Sequence, residues 1–317
     1  MLVALVAAIG FQIAQSARPD YPLAAHDPSS LAESAGTDWV FATGNGIRTL
    51  RSRDLVHWER GAPALPAPPE WATRAVPEFR GNYLWAPDIL HVGNRWFLYY
   101  SVSTFGKNTS AIGLATNRTL DPASPDYRWE DAGPVVVSHP GDNFNAIDPS
   151  VLADANGRLW MAFGSFWSGI QLVELDPATG LRRAGARITP IASTPSHEIE
   201  AATLHHRDGF YYLFVNWGLC CRGVKSTYEI RVGRARKVTG PYIDRDGRPM
   251  LNGGGTLVLG AQPPVIGPGH AGLATARGRE WFTFHFYDAD HDGRATLGLR
   301  PLTWDAAGWP VVGAAAK

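Results

Sequence analysis

Cysteine is almost missing from this chain of 317 residues: there are two, and they are neighbours, Cys220 and Cys221. Two half-cystines cannot make a disulfide framework, and zinc sites want more ligands at wider spacing. A bond between neighbours would close almost no loop. The pair therefore reads as two small residues filling a tight place. Charge is scarce too, at 18 % of residues, with 29 basic side chains against 29 acidic ones. That balance excludes the electrostatic footprint of a protein that binds nucleic acid or an anionic membrane. No segment keeps a helical period beyond a turn or two, which excludes a helical bundle. What the chain has instead is 34 Gly, 24 Pro and 12 Trp. Gly and Pro punctuate turns, and aromatic residues favour strands and stack on sugars, so an all-β protein is expected.

The one long apolar run is at the start. Leu2 to Ile13 is almost wholly apolar, and Ala14-Gln15-Ser16 offers a small-x-small cleavage site. The run is short for a membrane span, and the first positive residue is Arg18. Residues 1–16 are expected to be a secretory signal and 17–317 a single catalytic domain. The mature protein is then expected outside the cell or in the periplasm, free of the membrane.

Five polar anchors recur at intervals near sixty residues: Asp27, Asp88, Asp148, Glu200 and His270. By subtraction the gaps are 61, 60, 52 and 70 residues. An aromatic run follows each anchor, for example Trp96-Phe97-Leu98-Tyr99-Tyr100 after Asp88 and Tyr211-Tyr212-Leu213-Phe214-Val215 after Glu200. Short Asn/Gly turns, such as Gly93-Asn94 and Asn156-Gly157, join the two strand-like runs of a repeat as a hairpin. A repeat of about sixty residues with four strands predicts a five-bladed β-propeller. A pair of β-sandwiches is the alternative, but it gives no reason for one anchor per unit. The Pro-rich stretch 63–69 falls within a repeat and reads as a loop between strands. Asp288 to Gly293 resembles half of a calcium loop but has Leu299 where the closing Glu belongs, so it reads as a hairpin turn.

Radial repetition brings anchors that are distant in sequence to one axis. Several carboxylates against aromatic walls fit glycosidic bond cleavage, which needs one carboxylic acid and one carboxylate. Crowding of like charges keeps one of them protonated. Taken singly, Asp-Pro and Pro-Asp pairs more often cap turns, and Asp88 is the strongest candidate for a purely structural acid.

At these residues the chain resembles glycoside hydrolase family 43. The segments are His26-Asp27-Pro28-Ser29, Leu84-Trp85-Ala86-Pro87-Asp88, Asn145-Ala146-Ile147-Asp148-Pro149-Ser150 and Ile199-Glu200-Ala201. Phe163 to Ile170, Cys220 to Val224 and Gly267 to Gly272 are similar to the endo-α-1,5-L-arabinanase branch. The sequence departs from the family at Ala202, where proline is common.

The resemblance implies an inverting reaction with Asp27 as general base, Glu200 as general acid and Asp148 orienting and tuning Glu200. It implies sugar contacts at Trp85, Phe105, Gly106, Asn145, Ala146, Ile147, Ser165, Phe166 and Trp167. It also implies an ion on the axis, calcium with a water shell, reached by His270. The expected partner is arabinan or its oligosaccharides, and the protein is expected to act as a monomer. Two alternatives stay open. One is an exo-acting β-xylosidase or α-L-arabinofuranosidase on the same scaffold. The other is a sugar-binding propeller without catalysis, which has no need of Asp27, Asp148 and Glu200 together.

Overall fold

A computed structural model describes residues 23–314. The signal expected at 1–16 lies outside them. Among the described residues the strands form five separate sheets, each an antiparallel meander. The first blade comprises Ala32–Ser34, Thr37–Ala42, Arg48–Ser52 and Trp58–Arg60. The second comprises Tyr83–Val92, Arg95–Val102, Ser110–Asn117 and Glu130–Ser138, with Gly44–Asn45 paired onto its inner strand. The third is Ser150–Ala153, Leu159–Phe163, Ile170–Leu175 and Thr189–Ala192. The fourth is Ile199–Arg207, Phe210–Trp217, Glu229–Ala235 and Thr256–Leu259. The fifth is Val265–Ala276, Arg279–Asp288, Arg294–Trp304 and Pro310–Val312. The chain is a five-bladed β-propeller, and the only α-helix among the described residues is one turn, Ala72–Ala75.

The aromatic runs are the second strands of the blades, and side-chain alternation explains their composition. Trp96, Leu98 and Tyr100 pack toward the first blade, while Phe97 and Tyr99 pack toward the third. Tyr211, Leu213 and Val215 face the third blade, and Tyr212 and Phe214 face the fifth. Both faces of the strand are buried, so the run is apolar throughout instead of alternating with polar residues. The core is accordingly five clusters, one in each interface between blades. The segment before His26 closes the ring: Ala25 N–H bonds Ala295 O (3.2 Å) and Leu297 N–H bonds Leu23 O (2.8 Å).

Polar contacts between neighbouring inner strands complete the circle. Asp88 accepts from Val151 N–H (2.9 Å) and also from the backbone of Ser30, joining the second blade to the third and the first. Ser150 Oγ accepts from Leu204 N–H (3.1 Å), Thr203 donates to Ala271 O, and Ser30 Oγ accepts from Leu273 N–H (3.2 Å). Burial pushes the Asp88 carboxyl up to about 6 against these donors. It is a staple between blades. The calcium-like Asp288–Gly293 stretch is a tight turn between two fifth-blade strands, with Asp288 accepting from Asp290 N–H (3.0 Å).

Candidate active site

Each inner strand has a kink within it or shortly before it, marked by a non-glycine residue in the left-handed region. These residues are Asp27 (φ 47°), Ala86 (φ 42°), Asp148 (φ 57°), Ala201 (φ 53°) and His270 (φ 56°). Such conformations cost energy in residues with a Cβ and persist where the surroundings enforce them. The five anchors read from the sequence therefore do not share one register. Asp27, Asp148 and His270 occupy the kink. Glu200 sits one residue before it, the place held by His26 and Trp85, and Asp88 sits two residues after. A spacing that drifts by a residue or two is invisible at a period of sixty, yet in a strand it turns a side chain to another face.

A ring of acceptors on the second strands enforces the kinks. Thr43 Oγ1 accepts from Ala86 N–H (2.8 Å), Ser101 Oγ from Asp148 N–H (3.0 Å), Asn216 Oδ1 from His270 N–H (2.9 Å) and His285 Nδ1 from Asp27 N–H (3.1 Å). Each bond crosses from one blade to the next. At the junction of the third and fourth blades the corresponding residue is Gly164, without a side chain. There the Asp148 carboxylate itself takes the Ala201 N–H (3.1 Å). It thereby holds the backbone next to Glu200.

Asp27 stands among imidazoles. Its Oδ2 receives His26 Nδ1 and Thr43 Oγ1, both at 2.7 Å. Its Oδ1 has His270 Nδ1 at 3.6 Å and His285 Nδ1 at 3.5 Å, both beyond a good hydrogen bond. Burial opposes ionisation, but His26, then His270 and His285, hold Asp27 well below the usual carboxylate range. Glu200 is the opposite case. Ser165 donates to Oε2 (2.5 Å) and Tyr228 to Oε1, and both hydroxyls can reverse to accept when the carboxyl is protonated. Burial pushes Glu200 up to about 7, with Asp27 adding to the shift while Ser165 and His26 oppose it. Burial, then Glu200 and Asp27, raise Asp148 well above its ordinary range. Repulsion between Asp148 and Glu200 is mutual, and the two titrate as a pair. The centre thus pairs a carboxylate held ionised with a carboxyl lifted to about 7, which can carry a proton near neutrality, the division of labour that acid–base hydrolysis of an acetal requires.

The profile of the glycosyl hydrolases family 43 matches residues 17–310. The chain belongs to glycosyl hydrolase family 43. Among its family 43 relatives, the extracellular exo-α-(1→5)-L-arabinofuranosidase of Cellvibrio japonicus is 44 % identical over 300 residues, covering 90 % of this chain and 86 % of its own. The extracellular endo-α-(1→5)-L-arabinanase 1 of Bacillus subtilis is 40 % identical over 292 residues, with the same coverage of 90 % and 86 %. The solved Cellvibrio cellulosa α-L-arabinanase complexed with arabinohexaose superposes with a TM-score of 0.89 at 42 % identity, over 92 % of this chain and 96 % of that one.

The other residues singled out from the sequence fall into two groups. Trp85 is half-buried at the second-blade position equivalent to Glu200, and Phe166 and Trp167 are half-buried in the turn after Phe163. Phe166 N–H bonds Ile199 O (2.9 Å), tying that turn to the residue before Glu200. Phe105 and Gly106 lie on an exposed loop, with Phe105 82 % exposed. Asn145 is buried, and its Oδ1 has no partner among the described residues, which suits a sugar hydroxyl. Ala146, Ile147 and Ser165 are framework. Ala146 is fully buried with its N–H on Ser138 (2.9 Å), Ile147 O takes Gly164 N–H (2.8 Å), and Ser165 binds Glu200.

Sequence reasoning missed His26, Thr43, Tyr228, His285 and Tyr287. A signal existed for some of them: Thr43, Ser101, Asn216 and His285 are lone polar residues at or near the ends of the aromatic strands. The two cysteines were misread. They are joined in a vicinal disulfide, with Cα atoms 3.8 Å apart, on the loop after Trp217, and Cys221 Sγ is 3.9 Å from His26 Nε2. With no free thiolate they cannot ligate metal.

For a calcium ion the donor set is thin. His270 is buried, and desolvation lowers its pKa despite the pull of Asp27, leaving a neutral ring suited to ligation. No group of three closely set His, Cys, Asp or Glu donors includes it among the described residues. This fits a hydrated ion touching one imidazole, not an oxygen cage.

Proposed function

We propose that this family 43 glycosidase cuts internal α-1,5-linked L-arabinofuranosidic bonds of arabinan with inversion of configuration. The observation that carries the reading is the opposed setting of two carboxyls, half-buried Asp27 held ionised and buried Glu200 lifted to about 7. Water sits on Asp27 Oδ1, the oxygen that His26 and Thr43 leave free. As the bond between the anomeric carbon and the bridging oxygen breaks, Glu200 gives its proton to the departing oxygen. Water attacks the opposite face and passes a proton to Asp27. Exchange with solvent then returns the proton to Glu200. Asp148 keeps Glu200 in place through the Ala201 N–H, and repulsion between the two carboxyls favours a proton remaining on the pair. Trp85, Phe105, Phe166 and Trp167 offer ring faces for furanose stacking, and Asn145 Oδ1 accepts a sugar hydroxyl.

Endo action is tested by the products of linear arabinan. Mixed oligosaccharides at early times are expected, and arabinose alone would make the enzyme exo-acting. That second reading has support in the 44 % identity to a relative named as an exo-arabinofuranosidase. NMR of the fresh product reads the anomeric outcome, and retained configuration would overturn the mechanism.

His270 would hold a hydrated calcium ion on the axis, where the positive charge would offset the repulsion among Asp27, Asp148 and Glu200. Chelation is expected to lower the melting temperature as well as activity. No change in either after verified metal removal would end that role. The names of the two relatives as extracellular proteins support secretion. Signal removal at residue 16 and action as a monomer complete the proposal.

A further inference from the structure

Two hydrogen-bond chains end on Asp27 Oδ2, and both start at a backbone N–H. In the shorter, Ala86 N–H donates to Thr43 Oγ1 (2.8 Å), so the Thr43 proton is free to go to Asp27 (2.7 Å). In the longer, Cys221 N–H donates to Tyr287 Oη (2.7 Å), Tyr287 Oη lies 2.9 Å from His26 Nε2, and His26 Nδ1 lies 2.7 Å from Asp27 Oδ2. A backbone N–H only donates. Tyr287 therefore accepts from Cys221, and its hydroxyl also holds the far side of the His26 ring at Nε2. The Asp27 carboxylate can only accept, so His26 Nδ1 carries the proton shared with it. The ring is thus anchored by a residue 261 positions away in sequence.

We propose that Tyr287 is a positioning residue for the hydrolytic reaction, acting through His26 to hold Asp27 with Oδ1 turned to the attacking water. The proposal rests on Asp27 being the general base. The Cys220–Cys221 disulfide belongs to the device because it fixes the turn that presents the Cys221 N–H. Its Cys221 residue has φ 65°, and the Gly223 that follows packs against Gly293 of the fifth blade. The ring of His26 also stacks on His285, with centroids 4.1 Å apart, so it is fixed in plane as well as in tautomer.

The test uses the whole enzyme with Tyr287→Phe, which keeps the ring and deletes the hydroxyl, and with His26→Asn, whose amide can replace the Nδ1 donor but not the link to Tyr287. Loss of one such hydrogen bond corresponds to a fall in rate of up to about tenfold. Tyr287→Phe is expected to lower kcat about tenfold with KM within about twofold, since substrate binding is untouched. His26→Ala should fall about tenfold below His26→Asn, and adding Tyr287→Phe to His26→Asn should change nothing further. An unchanged kcat in Tyr287→Phe, or full additivity in the double variant, would overturn the proposal. Should a variant fold poorly, the ¹⁵N shifts of His26 in the wild type at alkaline pH decide the matter: the Nδ1–H tautomer is expected, and Nε2–H contradicts it. Asp27→Ala separates the two levels. If it keeps normal turnover, the base assignment itself fails; if it is inactive while Tyr287→Phe is normal, only the relay fails.

Discussion

Asp27, half-buried, and Glu200, buried, both stand near the start of an inner strand, yet their surroundings push them in opposite directions. Around Asp27 the His26 ring and the Thr43 hydroxyl donate to the carboxylate and stabilise its charge. Around Glu200 are two hydroxyls, and the Asp27 carboxylate destabilises charge there. Burial raises both pKa values, and only at Asp27 do the neighbours more than offset it. The lesson extends to the ring of junctions. Four are closed by neutral acceptors, Thr43, Ser101, Asn216 and His285, and the fifth by Asp148, the charged group next to the acid. The scaffold spends its one irregular junction where an extra carboxylate is useful.

The contrast can be broken at several places. The largest effect is expected from Asp27→Ala, a fall in kcat on arabinan of about 10⁴-fold, near the upper end for a positioned base. Asp148→Asn keeps an oxygen for the Ala201 N–H but removes the charge. It is expected to lower kcat about hundredfold and to move the alkaline limb of the pH–rate profile to lower pH by about one unit. In the wild type that limb belongs to Glu200. A general acid must be protonated, so kcat should fall as pH rises through about 7, the value to which burial lifts Glu200; a limb that stays when Glu200 is replaced by Gln would contradict this. Asp88→Ala is the control from the other ring. Orphaning the buried N–H of Val151 and Ser30 is expected to cost about 3 kcal/mol of stability in a denaturant titration, while the alkaline limb stays where it was.

Much of the fold was legible because burial on both faces makes the second strand of every blade a continuous aromatic run, and turns at Gly93-Asn94 and Asn156-Gly157 cut the runs apart. The Asp27, Asp148 and Glu200 set was legible as a group of recurring acids. Its register was not, because a shift of one residue separates Glu200 from the kink at Ala201 and nothing in a sixty-residue period records it. His26 was hidden by its neighbour Asp27, and Tyr287 by its place in a strand of aromatic residues, Trp281 to Tyr287. The vicinal disulfide was unreadable for a different reason: adjacency argues against a bond on loop-closure grounds, whereas this bond shapes a turn.

The division of roles is tested most directly by comparing two substrates. On arabinan the leaving sugar alcohol needs a proton, so Glu200→Ala and Asp27→Ala should both lose at least about 10³-fold in kcat. On an aryl α-L-arabinofuranoside whose phenol departs as a stable anion, the Glu200→Ala deficit should shrink to about tenfold while that of Asp27→Ala persists. Equal deficits of Glu200→Ala on both substrates, or recovery of Asp27→Ala on the aryl glycoside, would contradict the assignment of acid and base.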